Sequence, residues 1–167
     1  MDTVSSGTIP TEDHSSVAEM YLQITRMIER LHRRHLDMLR FELDRLGVEG
    51  ISAAQALMLT KMRGQSISVR DLVERGYYLG SNVSYNIKQL VNSGLVAQER
   101  SSHDRRSLRV SLTDKGEELC RQVAEAETKH AAALGTRRDE FEQIESACQL
   151  LRRLETNWSD FLRYGEH

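Results

Sequence analysis

Two polar stretches in the middle of the chain carry the residue types best suited to chemistry. One is the run 101–107, in which Asp104 precedes Arg105, Arg106 and Ser107. The other is the segment 81–93, whose hydroxyl, amide and amine side chains include those of Ser81, Asn82, Ser84, Tyr85, Lys88 and Gln89. Such groups exchange hydrogen bonds with phosphate oxygens and with the edges of bases. We therefore treat both stretches as candidate nucleic-acid contacts.

The distribution of charge supports this interpretation. The chain of 167 residues has a net charge of −2, from 23 basic and 25 acidic side chains. Between Gly76 and Leu112, however, five basic residues face two acidic ones, a local charge of +3 that leaves −5 for the rest. A positive surface on an acidic protein can meet a phosphate backbone while the protein stays soluble.

Other classes of protein find little support. The chain has no glycine-rich phosphate loop, no G-x-S-x-G and no H-E-x-x-H, so we predict that it is not an enzyme and uses no cofactor. Its longest apolar runs have four residues, which excludes a membrane span. The first residues lack the pattern of a secretory signal, so we expect a cytoplasmic protein.

Helices must position most of the candidate residues. After a flexible tail at 1–15, apolar residues recur every three or four positions from Val17 to Leu46, which predicts one long helix. Ser52 and Gln55 form a capping box that opens a second helix, which ends at Gly64. A third, short helix begins at Ser68 and ends before Gly76.

The fourth helix, predicted over 81–93 and stopped by Gly94, carries the amide and hydroxyl residues. A helical wheel places Val83, Ile87, Leu90 and Val91 on one side and Tyr85 on the other, with Ser81, Lys88 and Gln89 around Tyr85 and Asn82 at the edge. Ser81, Asn82 and Ser84 lie in the first turn, where a helix approaches bases most closely. Lys88 is expected to bind phosphate, and Tyr85 either contacts DNA or packs beneath the neighbouring hairpin.

That hairpin follows Gly94, where the apolar period changes to two. Residues 108–112 alternate and predict a strand, 95–100 is its partner, and the basic run 101–107 forms the tip. Thr113 caps a fifth helix that continues to about Leu134. Thr136 and Asp139 restart the chain as a last helix, whose narrow apolar seam is expected to meet another helix. The seam consists of Phe141, Ile144, Cys148, Leu151, Leu154 and Trp158, with Phe161 or Leu162 after it.

Together these elements predict a mainly α protein with a small β-hairpin, a winged helix-turn-helix joined to a helical dimerisation region. We divide the chain into a tail (1–15), an N-terminal dimerisation helix (16–50), the winged helix-turn-helix (51–112) and C-terminal dimerisation helices (113–167).

The segment 101–116 resembles the wing signature of MarR-type transcriptional regulators, a D-x-R-S sequence followed by a strand and L-T-x-x-G. Supporting matches are Ser68–Glu74 as the positioning helix and Asn82–Gly94, continuing into Leu95 and Val96, as the recognition helix. The resemblance implies a homodimer that binds a pseudo-palindromic site on double-stranded DNA and regulates transcription, with repression the expected role and activation the alternative. The first helix and the last two would interlock with the partner chain.

The resemblance also implies roles for individual residues. Arg106 would enter the minor groove, Asp104 would orient it by an ion pair, and Arg105 would contact a phosphate, with Ser107 completing the DNA-binding set. A small, often aromatic, effector would bind between the dimerisation helices and the DNA-binding lobe. Met27, Arg30, Leu31 and Leu59 could line that site, although helical core is the alternative for the apolar ones.

Three alternatives remain open. Cys120 and Cys148 fall at apolar helical positions, where a buried structural thiol is the ordinary interpretation and a redox switch the alternative. His32 and His35 could share a metal, but no further ligand completes a set, so we predict no metal site. A winged fold can also serve as a protein-docking module without DNA.

Overall fold

The computed structural model describes residues 11–76, 80–100, 108–134 and 137–165, and within them the side chains outside 11–15 and 74–81. In chain order the elements are α1 (Thr11–Arg45), α2 (Ala53–Met62), β1 (Ile67–Ser68), α3 (Val69–Gly76), α4 (Gly80–Asn92), β2 (Val96–Arg100), β3 (Leu108–Leu112), α5 (Asp114–Ala131), a 3-10 turn (Ala132–Leu134) and α6 (Arg138–Tyr164). The predicted fold class, mainly α with a small β wing, is confirmed.

Helix α1 is longer than the sequence pattern predicts. We expected it to start at Val17, but it begins at Thr11, so residues 11–15 of the expected tail are helical. The helix ends where predicted, before Gly47, whose φ of +67° suits glycine.

The predicted caps of the two following helices are confirmed. The Ser52 hydroxyl accepts from the backbone N–H of Gln55 at 3.2 Å, and the side-chain oxygen Oε1 of Gln55 accepts from the Ser52 N–H at 2.7 Å. The Ser68 hydroxyl accepts from the Asp71 N–H at 3.0 Å at the start of α3. Each bond satisfies a donor that a helix N-terminus otherwise leaves without a partner.

The sheet has three strands, not the two that the sequence predicts. The hairpin is confirmed, with Val96 opposite Leu112 and Arg100 opposite Leu108, all antiparallel. The third strand is β1, which pairs with the other side of β3 and gives the order β1-β3-β2. Because β1 has two residues, it shows no alternation by which the sequence could reveal it.

The first compact unit of the chain ends at Val123. Its hydrophobic core is formed by side chains of the five helices α1, α2, α3, α4 and α5 and of the sheet. Its largest fully buried side chains come from four helices, α1 to α4, and from strand β3: Leu39, Met58, Leu59, Met62, Leu72, Val83, Leu90 and Val110. Each such side chain stabilises the fold by about 1.5–3 kcal/mol relative to an exposed position. The helices and strands that carry the candidate DNA contacts are therefore fixed by apolar packing.

The second unit starts at Ala124 and contains α6. Thr136, the predicted start of this helix, lies outside the described residues; Glu140 caps the helix by accepting from the Arg137 N–H at 3.0 Å. No side chain of α6 is buried within the chain, and Phe141, Phe161 and Leu162 are each more than half exposed. Within the described ranges, no helix combines the length and apolar character that crossing a membrane requires.

Candidate nucleic-acid interface

The orientation of α4 is set by its apolar side. Val83, Ile87 and Leu90 are at most 3% exposed and belong to the core, and Val91 packs against it. This is the side that the helical period predicts, so the prediction of the inner face is confirmed. The opposite side of α4 is consequently directed away from the core.

That outer side presents the predicted polar residues. Asn82, Ser84 and Lys88 are exposed, and Gln89 is half-buried. Tyr85 keeps 62% of its surface exposed, as a DNA contact would require. Ser81 lies in the first turn of α4, but its side chain is outside the described part of the structure.

The N-terminus of α4 adds a favourable field for an anion. The first turn of a helix has backbone N–H groups without helical partners and carries about half a positive charge. The exposed Asn82 side chain lies in that turn, and the exposed Ser84 follows directly after it. A phosphate or a base edge placed there would meet backbone and side-chain donors together.

The tip of the wing falls outside the described residues. Asp104, Arg105, Arg106 and Ser107 belong to the segment 101–107, which joins the two strands at Arg100 and Leu108. Arg100 and Leu108 are paired at the end of the hairpin, so the two strands that carry this segment are held side by side where it begins and ends. The roles that the sequence assigns to these four residues stay predictions.

One basic residue of the wing serves the sheet. The Arg109 guanidinium donates from Nε to the Ser66 hydroxyl at 3.0 Å and from Nη2 to the Ser66 carbonyl oxygen. These bonds tie β3 to the residue before β1, so Arg109 contributes charge to the region while its Nε and one N–H of Nη2 are engaged within the sheet. No local pattern predicts this partner, because it lies 43 residues away.

The junction between α4 and α5 is a set of contacts that sequence analysis did not identify. The Thr113 hydroxyl donates to the Gly94 carbonyl oxygen at 2.7 Å, and Lys115 Nζ donates to that of Ser93 at 3.0 Å. The Thr113 hydroxyl also accepts from the Gly116 N–H at 3.1 Å, as its predicted capping role requires. These bonds fix the C-terminal end of α4 to the start of α5.

A second missed contact joins α2 to α4. Gln55, which is 6% exposed, donates from Nε2 to Asn86 Oδ1 at 3.1 Å. The sequence identified Gln55 only as a capping residue, and nothing in the local pattern connects two residues 31 positions apart. The side chain therefore both caps α2 and holds the middle of the recognition helix.

The four candidate effector residues differ in their surroundings. Met27 and Leu31 on α1 are 48% and 59% exposed, and Arg30 beside them is exposed. Leu59 on α2 has no exposed surface and lies in the core. Leu59 is therefore a core residue, which is the alternative to effector binding given above for the apolar residues. The three residues of α1 are accessible.

The two cysteines also differ. Cys120 is buried, and burial together with the charge of Glu117 raises the pKa of its thiol to about 11 despite the opposing charge of Arg63. Cys148 is exposed on α6, so the expectation of a buried thiol is not met for it among the described residues. Among the described residues, no three His, Cys, Asp or Glu side chains are grouped to hold a metal ion.

Comparison with known proteins gives one consistent result. The sequence profile described as "MarR family" matches residues 46–107. The exopolysaccharide II synthesis transcriptional activator ExpG of Rhizobium meliloti (strain 1021) is 39% identical over 145 residues, which cover 87% of this chain and 75% of that protein.

Solved structures share the fold. A MarR transcriptional regulator from Methanosarcina mazei Go1 superimposes with a TM-score of 0.66 at 22% identity, over 80% of this chain and 96% of that one. Streptococcus pneumoniae FabT, solved in complex with DNA, superimposes with a TM-score of 0.73 at 16% identity, over 83% and 99%.

Proposed function

This chain belongs to the MarR family of DNA-binding transcriptional regulators, and from that premise we propose that it binds a pseudo-palindromic operator as a homodimer under the control of a small, aromatic ligand. The observation that carries the proposal is the outer face of α4, where Asn82, Ser84, Tyr85 and Lys88 are exposed opposite a buried apolar face. A helix anchored on one side and polar on the other can enter the major groove.

The uncovered apolar residues of the terminal helices support the homodimer. Phe141, Phe161 and Leu162 on α6 are exposed, as are Met20 and Leu22 on α1. Large apolar side chains in that number mark an interface rather than a solvated surface. A second copy of the chain is the occupant we propose, because a symmetric dimer places two recognition helices about one DNA turn apart.

In the proposed complex the contacts divide by chemistry. Ser81, Asn82 and Ser84 address base edges from the first turn of α4, and Gln89 follows on the same face. Lys88 binds a phosphate, which contributes affinity without sequence information. Tyr85 contacts a thymine methyl group or a phosphate.

The wing completes the proposed interface. Arg106 enters the minor groove, where a narrow A·T-rich segment has an enhanced negative potential that attracts a guanidinium. Asp104 holds Arg106 in position, while Arg105 and Ser107 contact the backbone. Arginine suits this role better than lysine because its planar group makes several hydrogen bonds at once.

Selection of bound sequences from random duplexes tests the proposal. We expect enrichment of one sequence with two inverted half-sites about ten base pairs apart, because a two-fold dimer presents two equivalent recognition helices. Placing the selected site before a reporter gene distinguishes repression from activation. The Rhizobium meliloti relative is named as an activator, which supports activation. Recovery of no sequence above bulk DNA would contradict the proposal.

Alanine variants separate the proposed roles on the selected site. Asn82→Ala and Arg106→Ala are each expected to weaken specific binding by about 1–3 kcal/mol, with a smaller loss on unrelated DNA. Lys88→Ala is the matched control, since it should weaken all sequences alike and reduce the salt dependence by about one phosphate contact. Equal losses on specific and unrelated DNA for all three variants would count against base recognition by α4 and the wing.

The effector is proposed to be a small aromatic acid that contacts the accessible part of α1. Met27 and Leu31 supply apolar surface and Arg30 supplies a cation for a carboxylate. We expect calorimetric titration with a panel of aromatic acids to show binding heat and the bound acid to lower operator affinity. Arg30→Ala should reduce the heat of the best ligand; absence of heat and of DNA release across the panel would refute ligand control.

A further inference from the structure

The contact between Gln55 and Asn86 determines which way round the Asn86 amide lies. An amide side chain has one oxygen that accepts and one nitrogen that donates, and the two are assigned from their partners. The Ser52 backbone N–H can only donate, so the Gln55 group that meets it at 2.7 Å must be the oxygen Oε1. Gln55 Nε2 is thereby left to donate, and the Asn86 atom that it meets at 3.1 Å must be the oxygen Oδ1.

The Asn86 nitrogen is consequently available for another partner. Within the described part of the chain no hydrogen bond occupies Nδ2. No buried side-chain nitrogen or oxygen among the described residues lacks a partner, so Nδ2 is reached by solvent. Asn86 itself is half-buried, which limits its freedom to turn over.

Its position on α4 places it beside the proposed base contacts. Asn86 lies one turn after Asn82 and one turn before Gln89, and residues three and four apart are neighbours on a helix surface. It therefore borders the outer face while Val83 and Leu90, on its other side, are buried. A donor at this border extends the row of amides along the helix.

On the basis of the proposed function, we propose that Asn86 is a specificity-determining residue that presents its amide donor to DNA, and that Gln55 is the positioning residue that orients it. A free asparagine recognises adenine by donating to N7 while accepting from the N6 amine. The Asn86 oxygen is directed towards the buried Gln55, so the atom that Asn86 presents to DNA is its donor, and it favours guanine, whose N7 and O6 are both acceptors. Gln55 thus contributes to base preference without touching DNA.

Two substitutions change the polarity of this contact without removing it. Asn86→Asp still offers an oxygen to Gln55 but replaces the outward donor with an acceptor. Gln55→Glu keeps the cap of α2, since glutamate is the usual partner of serine in a capping box. The second carboxylate oxygen of the introduced glutamate can only accept from Asn86. The Asn86 amide must therefore turn over, so that its nitrogen meets the carboxylate and its oxygen is directed outward.

The test is selection from random duplexes with the full-length protein and three variants, each first checked for folding by circular dichroism and thermal melting. We expect wild type to prefer guanine at one position in each half-site. Asn86→Asp and Gln55→Glu should both lose that preference by about ten-fold and favour cytosine, which presents a donor amine. Asn92→Asp, which adds the same charge to the same helix, should weaken binding while the preference for guanine is unchanged.

The outcomes separate this inference from the proposed function. If Asn86→Asp weakens every sequence alike and by more than Asn92→Asp, the Asn86 donor contacts a phosphate oxygen and its proposed role in specificity is overturned. The inference is also overturned if Asn86→Asp changes binding no more than Asn92→Asp does. It is overturned as well if Gln55→Glu folds and keeps the wild-type preference for guanine. In both cases the proposed binding to an operator is unaffected. Failure of wild type to select any sequence overturns both.

Discussion

Gly116→Ala is expected to lower the free energy of unfolding by about 3 kcal/mol, the upper part of the range for overpacked sites. A Cβ atom at position 116 would overlap the Leu95 carbonyl oxygen and would lie 3.2 Å from the Leu95 carbonyl carbon and 3.4 Å from Leu112 Cβ. A backbone carbonyl cannot rotate away as a flexible side chain can. Relief therefore requires α5 to move away from the base of the wing.

Movement of that kind would break the surrounding hydrogen bonds. The Leu95 carbonyl oxygen accepts from the Thr113 N–H at 3.1 Å, and the Thr113 hydroxyl donates to the Gly94 carbonyl oxygen. The glycine of the L-T-x-x-G sequence is thus required by space, because α5 starts directly against the end of the recognition helix. We expect Gly116→Ala to weaken operator binding as well, since the same junction holds α4.

Urea unfolding followed by circular dichroism measures the effect, and Gly94→Ala provides the control. Gly94 has a φ of +69° but nothing within 4 Å of an added Cβ atom, so alanine there is penalised only by the left-handed backbone, by about 1 kcal/mol. A loss at Gly116 no larger than the loss at Gly94 would show that the junction is looser than the structure indicates.

These two glycines show what the sequence could and could not predict. Gly94 was identified as a helix stop because glycine after a polar, periodic segment is a local signal. The inner face of α4 and the caps at Ser52, Ser68 and Thr113 were predicted for the same reason, since each depends on residues within one or two turns. The crowding at Gly116 depends on Leu95, 21 residues earlier, and no local pattern contains it.

The same distinction applies to the candidate site. The exposed residues of α4 follow from helical periodicity, so the sequence sufficed to place them. The contacts that hold the site, from Gln55 to Asn86 and from Arg109 to Ser66, join residues 31 and 43 positions apart. Strand β1 was missed because two residues carry no period, although it fixes the far edge of the wing.

Cys120 is expected to react with iodoacetamide at least 100-fold more slowly in the native protein than in the urea-unfolded chain at pH 8. The attacking species is the thiolate, and an ordinary thiol with a pKa of about 8.5 is about one quarter ionised at this pH. Burial raises the pKa of Cys120 to about 11, so only about one molecule in a thousand carries the thiolate. The 2% exposure of the side chain slows the reaction further.

The experiment uses Cys148→Ser so that Cys120 is the only thiol, with mass spectrometry of the intact protein as the measurement. Urea supplies the control, because unfolding removes both the burial and the neighbouring charges. Labelling of native Cys120 at the rate of the unfolded chain would contradict the buried position. Such a result would also restore Cys120 as a candidate for the redox switch that the sequence left open, since peroxide reacts with the same thiolate.

The raised pKa also predicts how stability depends on pH. The folded state disfavours the Cys120 thiolate and the unfolded state does not, so the protonated thiol favours folding below a pH of about 8.5. That contribution is lost as the pH rises from about 8.5 towards the folded value of about 11. Wild type should therefore lose more stability between pH 8 and pH 10 than Cys120→Ala does. Equal losses in the two proteins would mean that Cys120 ionises as easily inside the fold as in water.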